Sequence, residues 1–263
     1  MPNYCFAGVD VGSLSTDVVL IDETGTSLSE IVVATGVDGS TAARKAFETA
    51  LETAGLKEAE VKSVTATGYG RRTVDFASQH TTEISCHGLG AHLLFPNTGT
   101  VIDIGGQDSK VISVDSKGRM LDFAMNDKCA AGTGRFLEVM AQRLELSITD
   151  FSDPINVQGE GVQISSTCTV FAESEVISLL TKRIPRQQII NGLQRSIVSR
   201  IWSMITTVGL EAEVTLTGGV ALNQGLVKVL EERVRSRLNI PANPQTVGAL
   251  GAAHMARRRS GSV

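Results

Sequence analysis

An internal duplication constrains this chain more than any other feature. Residues 8–25, GVDVGSLSTDVVLIDETG, align without a gap on residues 101–118, VIDIGGQDSKVISVDSKG. In each copy an apolar run leads to an Asp and a Gly, and a second apolar run follows, which is the pattern of a β-hairpin. One acidic hairpin would be weak evidence because Asp-Gly turns are common, but two copies with the same register indicate duplication. The sequence therefore predicts an α/β fold made of two related lobes.

The chain length agrees with this organisation. A chain of 263 residues suits one large domain or two small ones. We expect a first lobe over 1–97, completed by a C-terminal helix within 246–263, and a second lobe over 98–245. Two mixed sheets with outer helices and a nucleotide cleft between the lobes resemble the duplicated actin, Hsp70 and sugar kinase architecture, a ribonuclease H-like fold.

Composition excludes several classes of protein. The net charge of −4 and the isoelectric point near 5.6 give no general attraction to nucleic acid. No apolar run approaches the roughly 20 residues that cross a bilayer, and the first residues lack the pattern of a signal peptide. We therefore expect a cytoplasmic protein without nucleic-acid or membrane partners. Four cysteines without a C-x-x-C pair are too few for a disulfide framework.

Three glycine turns, each after an apolar strand, predict a nucleotide site. Ligands of open α/β sheets bind at strand ends, and glycine lets backbone N–H groups approach an anion closely. The first two turns would bind phosphates and the third would contact an adenosine; none matches a P-loop or a Rossmann fingerprint. The predicted nucleotide-binding residues are Gly12, Ser13, Leu14, Ser15, Thr16, Gly105, Gly106, Gln107, Asp108, Lys110, Gly218, Gly219 and Gln245.

Polar residues of the two hairpins are the candidates for catalysis. Asp10 and Asp103 are predicted to hold a hydrated Mg²⁺, which usually keeps several waters and takes one or two carboxylates. Gln107 or Asp108 would orient an attacking water, and Lys110 would neutralise phosphate charge. The alternative is that these three residues are ordinary exposed polar groups of a turn.

Two of the four cysteines have an unusual setting. Cys129 in NDKCAAGTGRFLEVM and Cys168 in SSTCTVFAESE each precede a predicted helix, whose N-terminus stabilises a thiolate or an anionic cluster. An iron-sulfur cluster usually takes four thiolates, and a two-fold dimer would supply the missing pair. Buried small hydrophobes are the alternative, and we assign Cys5 and Cys86 to that class. The four histidines, none with metal-ligand spacing, are interpreted as structural: His80, His87, His92 and His254.

Several segments together resemble one family. ATGYGRR, EISCHGLGAH, VIDIGGQDSKVI, MNDKCAAGTGRFLEVMA, ISSTCTVFAESEVISLL and LTGGVALN are similar to the ATP-dependent activators (component A) of 2-hydroxyacyl-CoA dehydratases, relatives of the ATPase subunits of benzoyl-CoA reductases. The resemblance implies a homodimer with one 4Fe-4S cluster held by Cys129 and Cys168 of each subunit. It also implies ATP hydrolysis coupled to one-electron transfer to a dehydratase, with ferredoxin or flavodoxin as the electron donor.

One residue departs from the family pattern. The first phosphate turn of the family usually ends in Lys, and this chain has Asp17 there, while Lys110 occupies the equivalent place in the second copy. The departure puts Asp17 in question as a nucleotide contact. Three alternative functions are a small-molecule kinase of the same superfamily, an ATPase subunit of a benzoyl-CoA-type reductase and a non-catalytic actin-like scaffold.

Overall fold

The computed structural model describes residues 4–164 and 168–261. The strands are β1 (Cys5–Val11), β2 (Ser15–Asp22), β3 (Ser27–Ala34), β4 (Val61–Thr67), β5 (Gln79–His80), β6 (Thr100–Ile104), β7 (Ser109–Val114), β8 (Met120–Asn126) and β9 (Val214–Thr217). The α-helices are α1 (Gly39–Ala54), α2 (Glu83–Leu94), α3 (Gly134–Arg143), α4 (Ile148–Phe151), α5 (Thr169–Thr181), α6 (Arg186–Val208), α7 (Gln224–Val234) and α8 (Val247–Arg259).

The chain divides into two compact units. The first consists of Met1–Thr98, Val114–Leu121 and Pro241–Val263, and the second of Gly99–Ser113 and Asp122–Ile240. Both predicted hairpins are present, as β1–β2 and as β6–β7. In the described ranges, no helix combines the length and hydrophobicity that crossing a bilayer requires.

The sheet of the first unit has the strand order β3-β2-β1-β4-β5. Strands β1, β2 and β3 pair antiparallel, whereas β4 runs parallel to both β1 and β5. Every residue of β1 is buried, because alternate side chains pack against α1 on one face and α8 on the other. Burial on both faces explains why CFAGVDV reads as a nearly continuous apolar run. The C-terminal helix α8 thereby becomes part of the first unit.

The second unit contains the sheet strands β6, β7 and β9, with β8 at the outer edge in the order β8-β7-β6-β9. Its core joins these strands to the apolar faces of α3, α6 and α7. The parallel pairing of β6 with β9 brings the ends of both strands to one edge of the sheet. That edge carries the turns described below.

The N-terminal cap of α1 is a different residue from the one that the sequence pattern indicates. The segment 40–55 has the pattern of a helix that begins at Ser40, but Asp38 caps it, with its carboxylate accepting from the N–H groups of Ser40 and Thr41. Gly55 ends the helix with a φ of 66°, as glycine commonly does. An Asp two residues upstream offered the same cap chemistry as Ser40, so composition alone did not separate them.

Candidate functional site

A buried ion pair lies at the base of the second hairpin. The Lys110 ammonium is 3.0 Å from Asp103 Oδ2 and 2.8 Å from Asp108 Oδ2, and its side chain is 2% exposed. The Thr217 hydroxyl donates to the other Asp103 oxygen at 2.8 Å. Lys110 is therefore no exposed turn residue: it neutralises two carboxylates of its own hairpin. Such a pair fixes the Asp103 carboxylate, because removing one partner would leave a buried charge uncompensated.

The turn of this hairpin is closed by its own backbone. The Gly105 N–H donates to the Asp108 carbonyl at 3.0 Å. A Cβ on Gly105 would lie 2.6 Å from Asp108 Oδ1, so this position needs glycine. Gln107 is exposed at the tip. The turn thus presents backbone groups and one amide side chain to solvent above the fixed Asp103 carboxylate.

The third glycine turn approaches the end of β6. Gly218 is buried with a φ of 85°, and a Cβ there would lie 2.4 Å from the Ile104 carbonyl oxygen and 2.9 Å from Asp103 Oδ1. Gly219 is exposed and begins a short 3-10 turn, and α7 follows from Gln224. Close backbone approach at Gly218 explains why glycine follows Thr217.

The first unit repeats this arrangement. Thr67 lies beside Asp10 in the β1–β4 pair, as Thr217 lies beside Asp103 in the β6–β9 pair. Gly68 has the same φ of 85° as Gly218, and a Cβ on it would lie 2.3 Å from Asp10 Oδ1. The sequence analysis missed this third repeated element. The signal was present, because VTATG at 64–68 and VTLTG at 214–218 differ at one position.

The first turn is braced by the end of β3. The Gly12 N–H donates to the Ser15 carbonyl at 2.9 Å. The Thr35 hydroxyl donates to the Gly12 carbonyl at 2.9 Å and also lies 2.9 Å from the Thr16 hydroxyl, while the Thr35 N–H donates to the Leu14 carbonyl. Ser13 is exposed at the tip. This turn therefore has the same closed backbone as the second.

Asp17 occupies the structural place of Lys110. It pairs in register with Asp10 across β1 and β2, as Lys110 pairs with Asp103 across β6 and β7. Asp10 is 6% exposed and Asp17 is 5% exposed, and the Ser15 hydroxyl donates to Asp17 Oδ2 at 3.1 Å. The two hairpins thus share their backbone but differ in charge at one buried position.

The Asp10 carboxylate has two further neighbours in the first unit. His87 Nε2 of α2 is 3.8 Å from Asp10 Oδ2. A Cβ on Gly248, in the first turn of α8, would lie 2.1 Å from the same oxygen. Gln245 is half-buried just before α8, where Asn243 and Thr246 side chains donate to Glu30 Oε2 at 2.7 and 2.8 Å. His87, interpreted from the sequence as merely structural, therefore lies beside a candidate catalytic carboxylate.

The four cysteines fall into two groups. Cys5 and Cys86 are fully buried, and burial raises the pKa of Cys5 to about 11 and of Cys86 to about 12, so both stay protonated thiols. Cys129 and Cys168 are partly exposed. Cys168 is the N-cap residue of α5. Two accessible thiols before helices suit ligation; no group of three or more His, Cys, Asp or Glu forms a metal site within 4–164 and 168–261.

The loop of Cys129 is hydrogen-bonded to the second glycine turn. Asn126 Nδ2 donates to the Cys129 carbonyl at 2.8 Å, which fixes the start of the loop. The loop ends at α3, where the Gly134 N–H donates to the Gly105 carbonyl at 2.9 Å and the Arg135 N–H donates to the Gly106 carbonyl at 2.8 Å. The α3 and α5 helices are joined by the ion pair of Arg143 and Glu173. A displacement of the turn would therefore also displace the loop that carries Cys129.

The two mixed sheets with flanking helices have the α/β fold that actin-like proteins and sugar kinases share. A ROK family glucokinase from Streptomyces griseus matches with a TM-score of 0.60 at 15% identity, covering 97% of this chain and 99% of that one, a likeness of fold alone. The predicted fold class is thereby confirmed. Residues 7–256 match the BadF/BadG/BcrA/BcrD ATPase family, and the chain belongs to that ATPase family.

Relatives within the family are much more similar. The activator of lactoyl-CoA dehydratase from Anaerotignum propionicum is 45% identical over 246 residues, covering 94% of this chain and 95% of that protein. The crystal structure of (R)-2-hydroxyglutaryl-CoA dehydratase component A from Acidaminococcus fermentans matches with a TM-score of 0.93 at 42% identity over 98% and 99% of the chains. The activator of 2-hydroxyisocaproyl-CoA dehydratase from Clostridium difficile, solved with bound ADPNP, matches with a TM-score of 0.91 at 38% identity over 98% and 96%.

Proposed function

We propose that this ATPase is the reductive activator of a 2-hydroxyacyl-CoA dehydratase. It would hydrolyse ATP and pass one electron from a 4Fe-4S cluster, bound once per homodimer, to the dehydratase. Similarity to activators over nearly the whole chain supports this assignment. The observation that carries it is the backbone link from Gly105 and Gly106 to the first turn of α3, because it joins the phosphate turn to the Cys129 loop.

The acidic glycine turns would bind the nucleotide. Asp10 and Asp103 each lie one residue before the end of their strands, β1 and β6, and would each take part in holding a hydrated Mg²⁺. The turns at 12–16 and 105–110 would contact phosphates, and Gly218, Gly219 and Gln245 would contact the adenosine. Gln107 is exposed at the tip of its turn, so its amide is available to orient the attacking water. Lys110, held between Asp103 and Asp108, would fix these carboxylates and lower the negative charge that phosphates meet.

Cys129 and Cys168 would bind the cluster together with the same two residues of a second copy. Their thiols fit this role because they are partly exposed and precede α3 and α5. Val170 and Phe171, next to Cys168, are 67% and 68% exposed, and such apolar surface suits contact with a second subunit. When bound, a 4Fe-4S cluster supplies one-electron redox chemistry. Ferredoxin or flavodoxin would return the electron, and the cycle would run in the cytoplasm.

The chain's own residues suggest how hydrolysis would reach the cluster. Loss of the terminal phosphate would change the contacts of the Gly105–Gly106 turn. The Gly134 and Arg135 N–H groups, bonded to that turn, would move α3 with it, and the Arg143–Glu173 pair would carry the motion to α5. Both ligand-bearing loops would shift as a result, since interfaces of packed helices convert small displacements into discrete rearrangements.

Anaerobic reconstitution with iron and sulfide tests the proposal. The chain should become brown, absorb near 400 nm and elute as a dimer, and Cys129→Ala and Cys168→Ala should each abolish the colour. Cys5→Ala, at a buried thiol, is the matched control and should retain the cluster. A colourless, iron-free chain, or iron retained in both ligand variants, would contradict the proposal. Phosphate transfer to a sugar or acid acceptor, instead of release to water, would indicate the kinase alternative.

A further inference from the structure

His87 is a buried imidazole directed at a candidate catalytic carboxylate. Its side chain is 7% exposed, and its Nε2 atom is 3.8 Å from Asp10 Oδ2, on a side chain that is 9% exposed. This distance is too long for a direct hydrogen bond, but it places the imidazole ring in packing contact with the carboxylate. Both side chains are shielded from solvent, so the contact lies inside the packed first unit.

Glycines surround the same carboxylate. A Cβ at Gly68 would lie 2.3 Å from Asp10 Oδ1, and a Cβ at Gly248 would lie 2.1 Å from Oδ2 and 2.9 Å from His87 Nε2. The Asp10 carboxylate therefore fills the space that side chains at positions 68 and 248 would take. The backbone at Gly68 and at Gly248 and the His87 imidazole therefore enclose the carboxylate.

The helix that carries His87 is itself held tightly. A Cβ at Gly90 of α2 would lie 2.2 Å from the Val247 carbonyl oxygen, and a Cβ at Gly251 of α8 would lie 2.0 Å from the Cys86 carbonyl oxygen. These close approaches on both sides of His87 pack α2 against α8 backbone to backbone. The imidazole is consequently a fixed part of the Asp10 surroundings, as a positioning group must be.

In the second unit, the carboxylate at the equivalent position is contacted by two donor groups. Asp103 receives the Lys110 ammonium at 3.0 Å and the Thr217 hydroxyl at 2.8 Å. In the first unit the lysine position is Asp17, and the Thr67 hydroxyl donates to the Thr81 carbonyl at 3.3 Å. The His87 imidazole approaches Asp10 from a different element, α2.

We propose that His87 is a positioning residue for Asp10, holding its carboxylate in the orientation that binds the hydrated Mg²⁺ of the nucleotide. The inference deepens the proposed function and rests on it, because Asp10 is there assigned to the metal. Groups that orient a metal-binding side chain typically change metal affinity or activity 10- to 100-fold when they are removed. The role belongs to Mg²⁺ binding and not to binding of the nucleotide base or sugar.

The test measures binding of a non-hydrolysable ATP analogue to the full chain by calorimetry, over a series of Mg²⁺ concentrations. His87→Ala should raise the Mg²⁺ concentration needed for half-maximal binding about tenfold, while Mg²⁺-free ADP binds within about twofold of wild type. His87→Gln should recover most of the loss, since its side chain fills nearly the same place beside the carboxylate. In an Asp10→Asn background the effect of His87→Ala should disappear, because there is no carboxylate left to orient.

His92→Ala is the matched control, since His92 lies on the same helix and packs at Gly118; it should leave the Mg²⁺ dependence unchanged. If His87→Ala does not fold, His87→Asn takes its place. A wild-type Mg²⁺ dependence in the His87 variants, or an equal loss in the presence and absence of Asp10, overturns the positioning role alone. A wild-type chain that binds no nucleotide overturns both this role and the proposed function.

Discussion

Asp17 lies directly opposite Asp10 across the first hairpin, and both carboxylates are buried. The same two positions of the second hairpin hold a buried Lys–Asp pair, with Lys110 Nζ 3.0 Å from Asp103. The two hairpins therefore have the same register but carry opposite charges at one buried position.

Asp17→Lys should stabilise the protein. The new ammonium would meet Asp10 in the register in which Lys110 meets Asp103, and a hydrogen bond between charged groups contributes about 1.5–3 kcal/mol. Thermal unfolding should therefore shift upward by several degrees, with Asp17→Asn as the control that removes the charge without adding a cation. A fall in the melting temperature of Asp17→Lys would contradict this expectation.

Lys110→Met should destabilise the second unit strongly. It leaves the buried Asp103 and the partly exposed Asp108 without their shared cation, and loss of one partner of a buried ion pair typically costs about 3–5 kcal/mol. Urea unfolding checks this value. Lys117→Met, at an exposed lysine of the following turn, should cost almost nothing, and equal effects of the two variants would show that burial of the pair is unimportant.

Gly68→Ala should separate steric conflict from backbone strain. Gly36 has a φ of 63° with nothing within 4 Å of a built Cβ, so Gly36→Ala should cost only the strain of a left-handed residue, about 1–2 kcal/mol. Gly68 has a φ of 85° and its Cβ would meet the Asp10 carboxylate at 2.3 Å, so Gly68→Ala should cost about 3 kcal/mol or more. It should also weaken Mg²⁺-dependent nucleotide binding, which Gly36→Ala should not.

Stability should fall in mild acid because of His254. Burial, and then the nearby Arg257 and Arg258 charges, lower its pKa to about 4, while the unfolded chain keeps an ordinary value near 6.5. Its contribution is therefore complete above about pH 6.5 and is lost as the pH falls toward 4, by about 3 kcal/mol.

His254→Gln should reduce the dependence of the unfolding free energy on pH between pH 6.5 and 4. The exposed His80 offers the matched variant His80→Gln, which should keep the wild-type slope. The same slope in the His254→Gln protein would assign the acid sensitivity to other groups.

Gly134→Pro should uncouple the Cys129 loop from the second glycine turn. Proline is accepted at the first position of a helix but cannot donate to the Gly105 carbonyl as the Gly134 N–H does. Gly134→Ala adds a Cβ and keeps the donor, so it is the control. If the proposed function holds, ATP should accelerate removal of iron by a chelator in the alanine variant and have much less effect in the proline variant. Equal acceleration would exclude this link as the route of coupling.

The duplicated hairpins could be predicted because residues close together in the sequence determine both the register and the turn. Burial of Lys110 could not be predicted, since it depends on Asp108 folding back toward the ammonium. It also depends on Asp103, which Thr217, more than a hundred residues away, holds in place. His87 was missed for a similar reason: its place beside Asp10 is created by packing of α2 on α8. The VTATG and VTLTG repeat is visible in the sequence, but five residues are too few to show that the two segments are structurally equivalent. The equal φ of the two glycines shows it.

Asp10 receives part of its surroundings from a helix far along the chain, because Gly248 of α8 closes against its carboxylate. During translation, the ribosome makes Asp10 more than two hundred residues before Gly248. A nascent chain can pair β1 with β2 early, but it cannot enclose this carboxylate before α8 has emerged. Assembly of the first unit therefore waits for synthesis of α8, and chains truncated before this helix would carry an open, acidic hairpin.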